Sequence, residues 1–429
     1  MPASPSLLIV PARFKTGKLY TQIATTSAGV VLASSGDFNV TRATTATRFN
    51  SAGLIESVAS GVPRLDYYTS GGTAGCPALL VEASGSNFVL NSDNSSTSWT
   101  LGAGTASGYV DVIGVSGNTI TATASGGIGS NVFLRRTLNT ALASGSTYTV
   151  SFLMRQTGAH TIGGYWIGIQ GVGDIGGGFN VSGSFSSGAI YSAAGATNRI
   201  RRVERWGTDV YRCSETFTLT ASGTVDRILM GPLGAVNNPA ITSSGNTMAF
   251  AAPQIELGAV PTTFIPTTTT IATRNADVIT LSGAVSGCIG QTEGTIYLET
   301  NALVSGASDL FCFARATTNT VSITKNSSNI IQATVYTSGP SFALNIAASG
   351  TVLGNLKIAF AYKTGESALY INGVPIGTSS TAFSFAAALS EININSTGFF
   401  EGRGNQRISA LSLYTTRLTN AELAALTTL

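Results

Sequence analysis

Short runs in which apolar and polar residues alternate recur along the chain, and they constrain its fold more than any other feature. The clearest is YTVSFLMRQ at 148–156, in which every second residue is apolar. YWIGIQGV at 165–172 behaves similarly, and turns rich in Gly, Ser and Asn separate such runs. Because only 10% of the residues are charged and 50 of 429 are glycine, short strands joined by tight turns are favoured over helices. The sequence therefore predicts an all-β protein of antiparallel jelly-roll or β-sandwich domains.

The charges are few and nearly balanced. The chain has 23 Lys and Arg against 20 Asp and Glu, a formal net charge of +3. Because nucleic-acid binding needs a broad basic face, no nucleic-acid partner is predicted. The dense basic cluster RIRRVER, from Arg199 to Arg205, alternates with Ile200 and Val203 and predicts a solvated strand edge.

The cysteines and the first residues bear on cellular compartment. Cys76, Cys213, Cys288 and Cys312 are far apart and form no C-x-x-C pair, so neither a metal site nor a disulfide framework is predicted. LLIV at 7–10 is too short to span a bilayer, and no signal-peptide pattern is visible. We expect assembly in a reducing host cytoplasm, without membrane insertion.

Two polar, glycine-punctuated segments carry a more specific signal. They are TRATTATRFNSAGLIESVASGVPRLDYY at 41–68 and CPALLVEASGSNFVLNS at 76–92. They resemble the N-terminal module of bacteriophage tail-fibre and other virion proteins, in which RA-x-x-ATR-x-N-x-xGLIE-x-V precedes PRLDY and CP-x-LL-x-E. The matching residues are Arg42, Ala43, Ala46 to Arg48, Asn50, Gly53 to Glu56, Val58, Pro63 to Tyr67, Cys76, Pro77, Leu79, Leu80 and Glu82. The resemblance implies a virion part whose N-terminal region attaches to, or packs along, neighbouring virion proteins.

The middle of the chain has its own markers. A segment ending at Trp99, the run at 148–156 and a YRCS-x-TFT run at 211–218 resemble the carbohydrate-binding-module-like domain of phage and secreted bacterial proteins. FAAPQIELGAVPTTFIPTTTTIATRNADVI at 250–279 then reads as a last core strand and an extended Pro- and Thr-rich connector. The family pattern there is matched by Gln254, Glu256, Gly258, Thr263, Phe264 to Thr267, Thr273, Arg274, Ala276 and Asp277.

The last third resembles a concanavalin A-like, laminin-G-type jelly roll. The residues that match this family are Lys357, Tyr362, Leu369, Tyr370, Asn372, Gly373, Leu411, Leu413, Tyr414, Leu418, Glu422 and Leu426. Asn372-Gly373 predicts a hairpin with a type I′ turn, since both residues tolerate positive φ. LTNAELAAL at 418–426 predicts a short helix with Thr419 or Asn420 near its N-cap and Glu422 in its first turn.

These observations predict two successive antiparallel sandwiches after an irregular β-rich N-terminal module. The expected division is 1–90 for virion attachment and packing, 91–270 for the carbohydrate-binding-module-like sandwich, and 271–429 for the concanavalin A-like jelly roll.

Two kinds of enzyme, a serine hydrolase and a glycosidase, can be compared with the sequence. His160 is the one histidine and there is no G-x-S-x-G, so a serine hydrolase is not predicted. Glu204, Asp209 and Glu215 lie close in sequence, but a glycosidase needs a carboxylate pair at a defined separation, and no solenoid period of a depolymerase spike is visible. We therefore expect no catalytic residues.

Glycan binding is better supported, because aromatic rings stack on sugar rings while amides and guanidiniums bond hydroxyl groups. The candidate residues are Tyr165, Trp166, Trp206, Tyr211, Asn372, Arg403, Asn405 and Gln406. Neighbours on a strand face opposite ways, so only one of Tyr165 and Trp166 can face solvent. For each ring, a place in the sandwich core is the competing interpretation. Concanavalin-type lectins often hold calcium, but EGRGNQR at 401–407 lacks an acidic cluster, so no cofactor is predicted and calcium is left open.

We conclude from the sequence that a non-enzymatic virion structural protein is expected, a tail-fibre or tail-associated adhesion subunit that binds host-surface glycan. The alternatives are a capsid-decoration, head-fibre or baseplate protein with no ligand, and then a glycan depolymerase. Self-association into a trimer or other symmetric oligomer is expected from the resemblance and from particle symmetry.

Overall fold

The protein is built almost entirely of antiparallel strands, which confirms the all-β prediction. This computed structural model describes residues 4–9, 11, 14–19, 22–23, 37–68, 74–93, 98–103, 105–122, 126–127, 133–156, 162–170, 173–180, 190–192, 195–232, 240–241, 247–282, 287–302, 309–315, 319–326, 328–337, 343–351, 354–394 and 405–429. The strands of the first 90 residues are β1 (Leu7–Ile9), β2 (Phe14–Lys15), β3 (Lys18–Leu19), β4 (Gln22–Ile23), β5 (Phe38–Thr41), β6 (Ala46–Phe49), β7 (Ile55–Val58), β8 (Arg64–Asp66), β9 (Ala78–Val81) and β10 (Gly85–Asn87).

A middle sandwich follows. Its strands are β11 (Thr100–Leu101), β12 (Thr105–Val112), β13 (Val115–Ala122), β14 (Gly126–Gly127), β15 (Leu134–Leu142), β16 (Thr147–Gln156), β17 (Ile162–Gln170), β18 (Gly173–Asn180), β19 (Ile190–Ser192), β20 (Ala196–Arg205), β21 (Val210–Leu219), β22 (Gly223–Pro232), β23 (Ala240–Ile241) and β24 (Thr247–Leu257). One six-stranded sheet has the order β11-β15-β22-β17-β18-β19 and the other β12-β13-β24-β16-β21-β20. β14 and β23 form a separate small ribbon.

The alternation of β16 explains how this sandwich closes. Val150, Phe152 and Met154 point into the core between the two six-stranded sheets, as predicted. Leu153 points the other way, into a second apolar cluster on the outer face of its sheet. Phe49 and Ile55, from the hairpin formed by β6 and β7, cover that outer face.

The remaining elements belong to the last third of the chain. They are β25 (Ala272–Arg274), β26 (Val278–Ser282), β27 (Glu293–Ala302), β28 (Asp309–Arg315), β29 (Thr320–Lys325), β30 (Ile331–Tyr336), β31 (Leu344–Ala347), β32 (Gly354–Lys363), β33 (Ser367–Ile371), β34 (Val374–Ser379), β35 (Glu391–Ile394), β36 (Gln406–Tyr414) and the helix α1 (Asn420–Thr427).

Strands from both ends of the chain share the second sandwich, which we call the composite sandwich. One nine-stranded sheet has the order β34-β33-β32-β27-β36-β1-β4, with β9 also on β36 and β8 on β9. The other has the order β2-β3-β5-β26-β35-β28-β29-β30-β31. Leu7 lies opposite Leu413, and Val40 opposite Ile279. The expected division at residues 90 and 270 stays a prediction, but the early strands are hydrogen-bonded into the same sheets as the late ones.

The chain passes into and out of the middle sandwich at one place. β10 pairs antiparallel with β25, with Ser86 opposite Thr273. The incoming and outgoing segments therefore lie side by side, and the middle sandwich is a continuous insertion between strands of the composite sandwich.

Two local predictions for the C-terminal third are confirmed. Asn372 and Gly373 have φ of 50° and 80° in the turn between β33 and β34, as a type I′ turn requires. Thr419 caps α1, and its hydroxyl accepts from the Glu422 amide while the Glu422 carboxylate accepts from the Thr419 amide. Leu423 is fully buried in the cluster that fixes α1 to the sheet.

Candidate functional site

The motif residues of the first 90 positions meet those of the connector in one buried group of charges. We call Arg42, Arg64, Glu82, Arg274 and Asp277 the junction network. Arg64 Nη1 lies 2.7 Å from Glu82 Oε2, and Arg64 Nη2 is paired with Asp277. Arg274 Nη1 lies 2.6 Å from the same Glu82 oxygen, and Arg42 Nη1 lies 2.8 Å from Asp277 Oδ1. All five side chains are at most 3% exposed, so the network holds segments together and offers no open site.

Burial and pairing act in opposite directions on these groups. Burial alone would raise the pKa of the Glu82 carboxyl, but Arg274, Arg64 and the Thr263 hydroxyl outweigh it and hold the pKa well below its usual range. Burial would lower the pKa of Arg64, but Asp277 and Glu82 outweigh it and raise the pKa. The opposite charges of the network therefore favour the charged form of both groups.

The connector adds hydrogen bonds to this network. The Thr263 amide donates to Glu82 Oε1 at 2.8 Å and its hydroxyl to Oε2 at 2.7 Å. The Thr262 amide donates to Glu256 at 2.9 Å, and Ile265 donates to Gln254 Oε1 at 2.7 Å. The polar residues of the connector marker thus satisfy backbone groups that would otherwise be buried without partners.

Trp206 lies in an alternating stack of rings and guanidiniums beside the junction network. Arg407 lies 4.5 Å from the centre of the Tyr68 ring, the Tyr68 and Trp206 ring centres lie 5.8 Å apart, and Arg212 lies 4.7 Å from the centre of the Trp206 ring. Phe49 packs edge-on at 4.9 Å, and Trp206 is only 5% exposed. The cavity beside it measures about 10 Å³, room for one water. The ring is therefore not open to a sugar, because Phe49, Tyr68 and Arg212 pack around it.

Tyr165 is fully buried inside the middle sandwich. Its hydroxyl donates to Glu215, which also pairs with Arg199 and, at 2.7 Å, with Arg201. The predicted solvated edge is therefore wrong for Arg199 and Arg201, whose side chains are at most 4% exposed. They turn inward because a carboxylate on the neighbouring strand needs charged partners, and Ile200 takes the exposed side at 50%.

That inward turn needs a glycine on the opposite sheet. A Cβ at Gly177 would overlap the Arg201 guanidinium, which donates to the carbonyl of Gly176 at 3.0 Å. Burial of the Glu215 carboxyl raises its pKa, whereas the two guanidiniums favour its ionised form. The two guanidiniums thus offset part of the cost of burying this carboxyl.

Trp166 faces away from this core, on the outer surface of its sheet, and is half-buried. Its ring lies over Gly176 of β18, where a Cβ would overlap it. Leu229 and Arg135 follow in the same cross-strand row, and the Asp226 carboxylate lies over Gly168 beside it. We call Arg135, Trp166, Asp226, Arg227 and Leu229 the Trp166 face.

Two polar atoms of the Trp166 face are buried and have no hydrogen-bond partner among the described residues, Arg135 Nε and Asp226 Oδ1. The Asp226 side chain as a whole is 40% exposed, and Arg227 Nε lies 3.5 Å from its other oxygen. A flat ring with a carboxylate and guanidiniums around it can stack on a sugar and bond its hydroxyl groups.

The other predicted contact residues are separated from this face. Tyr211 is half-buried against the middle core. Asn372 accepts from the Lys357 amide at 2.8 Å. Asn405 is 7% exposed and accepts from Ala83, and Gln406 is fully buried and accepts from Thr300. Arg403, like His160, lies outside the described residues.

The carboxylates considered for hydrolysis do not form a pair. Glu215 is buried with its arginines, whereas Glu204 accepts from the Trp206 indole at 3.3 Å. Asp209 is exposed in the turn before β21.

One surface aromatic was missed by sequence reasoning. Tyr109 is 68% exposed and is the one aromatic ring in the described part of the chain that is mostly open to solvent. The signal was the alternation of SGYVDV at 107–112, where Val110 and Val112 take the buried side.

Among the described residues, no group of three or more His, Cys, Asp or Glu side chains is placed to hold a metal ion. None of the helical segments that the structure describes has the length and apolarity required to cross a bilayer.

The chain resembles several solved β-sandwich structures over about a third of its length. A SAP-like pentraxin from Limulus polyphemus is 15% identical, covering 32% of this chain and 70% of its own, with a TM-score of 0.26. A Ruminococcus gnavus sialidase CBM40 bound to α2,6-sialyllactose is 14% identical, covering 32% of this chain and 84% of its own, with a TM-score of 0.28. Domain 4 of the arabinanase AbnA from Geobacillus stearothermophilus, in complex with arabinotriose, is 14% identical. It covers 35% of this chain and 73% of its own, with a TM-score of 0.30. These scores are low, so the fold rests on the strand pairing described above.

No protein-family model matches the chain, and no curated protein matches it.

Proposed function

We propose that this chain is a bacteriophage virion structural protein, a tail-fibre or tail-associated adhesion subunit that binds host-surface glycan without turning it over. The observation that carries the virion assignment is the junction network. Arg42, Arg64 and Glu82 belong to the virion-type N-terminal motif, and Arg274 and Asp277 to the connector motif. Residues that carry the resemblance at distant places in the sequence thus form one buried group of ion pairs.

That arrangement suits a particle component. The network, the ring stack and the shared sheets fix the middle sandwich to the composite sandwich, so the chain can act as a stiff arm. Buried ion pairs are expensive to break singly, because the partner is left as an uncompensated charge. In this proposal the early strands also present the surface that docks to other virion proteins, and copies of the chain associate symmetrically.

The glycan-binding part of the proposal rests on the Trp166 face. It combines a half-buried ring on an outer sheet surface with Arg135 Nε and Asp226 Oδ1, two buried atoms for which the described residues supply no hydrogen-bond partner. Weak single contacts would suffice on a particle, since many copies raise the effective concentration of each later contact.

A cryo-electron-microscopy map of the phage particle that carries this chain tests the virion assignment. We expect density for both sandwiches on the tail, with the middle sandwich pointing outward. Density on the capsid lattice would favour the decoration alternative, and absence of the chain from purified particles would overturn the proposal.

Glycan binding is tested with the purified full chain on an array of neutral and sialylated oligosaccharides, with release of reducing sugar measured in parallel. We expect saturable binding without turnover, weakened by Trp166→Ala and unchanged by Val374→Ala, which removes a 57% exposed apolar side chain from an edge strand of the composite sandwich. Turnover would contradict the non-enzymatic role.

A further inference from the structure

Tyr109 lies on an edge strand of the middle sandwich. β12 pairs only with β13 among the described strands, which places it at the edge of its sheet in this part of the chain. Tyr109 lies opposite Asn118, and Asp111 lies opposite Ser116. Since cross-strand partners share a face, these four side chains form one small patch, which we call the Tyr109 shelf.

The shelf continues the inward surface of its sheet beyond the core. Asn118 lies opposite Phe250 on β24, and Phe250 is fully buried between the two sheets. Further out on the same face, Tyr109 is 68% exposed. The opposing sheet therefore covers the middle of this surface and leaves its rim at β12 open.

The ring is also held in place. The Tyr109 hydroxyl and the Ser116 hydroxyl lie 2.9 Å apart, and Asp111 Oδ1 accepts from the Gly114 amide at 3.0 Å. A ring tethered at its hydroxyl loses less freedom when something stacks on it than a freely rotating ring would. Single exposed apolar residues are common on surfaces, but here the neighbours are a hydroxyl, an amide and a carboxylate.

We propose that the Tyr109 shelf is a second carbohydrate-binding site, for a neutral pyranose unit of a glycan. This inference rests on the proposed glycan-binding function and adds a site separate from the Trp166 face. The Tyr109 ring stacks on the apolar C–H face of the sugar, while Asp111 and Asn118 bond its hydroxyl groups. The one charged side chain of the shelf is the Asp111 carboxylate, which repels sialic and uronic acids and selects neutral sugars.

The two sites lie on different sheets of the same sandwich. The Trp166 face is on the outer surface of the sheet that contains β17, and the Tyr109 shelf is at the edge of the opposite sheet. A branched or repeating polymer that reaches both sites gains avidity, because the second contact is intramolecular.

The test uses the full chain and the variants Tyr109→Ala, Tyr109→Phe and Trp166→Ala, with Leu257→Ala as a control that removes a 62% exposed apolar side chain elsewhere. The probes are neutral hexose oligosaccharides, with sialyllactose as the anionic comparator. Because the ring supplies the stacking surface, we expect Tyr109→Ala to weaken neutral-sugar binding by about twofold to tenfold. Tyr109→Phe should keep most of that binding, and Leu257→Ala all of it. Near-ultraviolet circular dichroism checks that each variant is folded.

The outcomes separate the inference from the proposed function. If the wild type binds sugars, Trp166→Ala weakens binding and Tyr109→Ala does not, the shelf is overturned while the function stands. If the wild type binds none of the probes, both glycan claims fail together and the virion assignment is left to the particle map. If Tyr109→Ala changes the sedimentation of the chain but not its sugar binding, the shelf is an interface between copies, which also overturns the inference.

Discussion

The two sandwiches of this molecule are assembled from the sequence in different ways. The middle sandwich takes all its strands from one continuous stretch between Thr100 and Leu257. The composite sandwich joins strands from both ends, with the Ser6 hydroxyl donating to the carbonyl of Leu413, 407 positions away. Local alternation of apolar and polar residues is enough to specify the middle sandwich, whereas the composite sandwich depends on partner strands that no local pattern identifies. The junction network is where the two meet.

The largest effect is expected from breaking the junction network with Arg64→Ala. Removing this guanidinium leaves Glu82 and Asp277 buried with too few partners, which costs about 3–5 kcal/mol of unfolding free energy. Hydrogen exchange should then rise in the composite sandwich more than in the middle core.

Arg48→Ala is the matched control for that change. Its ion pair with Glu56 is partly exposed and is worth about 0–1 kcal/mol. Equal losses of unfolding free energy in the two variants would show that the network does not join the sandwiches.

A pair of matched core truncations sharpens the comparison. Ile9 and Ile167 are both fully buried, one in each sandwich. Each change to Ala should cost about 2–5 kcal/mol through lost burial and a residual cavity. We expect Ile9→Ala to expose the composite sandwich to limited proteolysis while the middle sandwich survives as a resistant fragment, and Ile167→Ala to give the reverse pattern. A single fragment pattern for both variants would mean that the sandwiches unfold together.

Low pH should destabilise the junction network, because Glu82 loses its charge. The pKa of Glu82 is lower in the folded chain than its ordinary value of 4.5, so its contribution to stability is complete above that value and is lost as the pH falls below it. We expect unfolding free energy to drop between neutral pH and about pH 3, and to drop less in Glu82→Gln, which starts less stable. An equal acid loss in both proteins would assign the pH dependence to other carboxylates.

The smallest loss of stability is expected from a change at the C-terminal helix. Thr419→Ala removes the N-cap hydroxyl of α1 and should cost about 1 kcal/mol, visible as increased exchange of the amides of α1 alone. Thr416→Ala, whose side chain is exposed before the cap, should leave that exchange unchanged.

The sequence predicted what local chemistry decides. The alternation of β16, the type I′ turn at Asn372-Gly373 and the Thr419 cap follow from period, φ and side-chain hydrogen bonding, each within a few residues. It also predicted that Tyr165 and Trp166 face opposite ways, though not which of them is outside. Trp166 faces out because Gly176 leaves room for its ring, and that glycine lies on a neighbouring strand.

Interactions between residues on different segments of the chain could not be predicted from the sequence. The basic run at 199–205 looks solvated until Glu215 is placed beside it, and Trp206 looks like a binding ring until Tyr68 and Arg212 cover it. In both cases the deciding partners lie on other segments of the chain. The expected glycan contacts at Tyr211, Asn372 and Arg403 stay predictions.

The pairing of β1 with β36 sets the order in which a newly made chain can mature. During synthesis the first strands leave the ribosome long before their partners exist, whereas the middle sandwich has all its strands once residue 257 has emerged. Pairing across such a separation carries a large loop-closure entropy and is slow. The exposed edges of the early strands are meanwhile open to the wrong neighbour, so high-level expression should favour aggregation unless a chaperone or a neighbouring copy covers them.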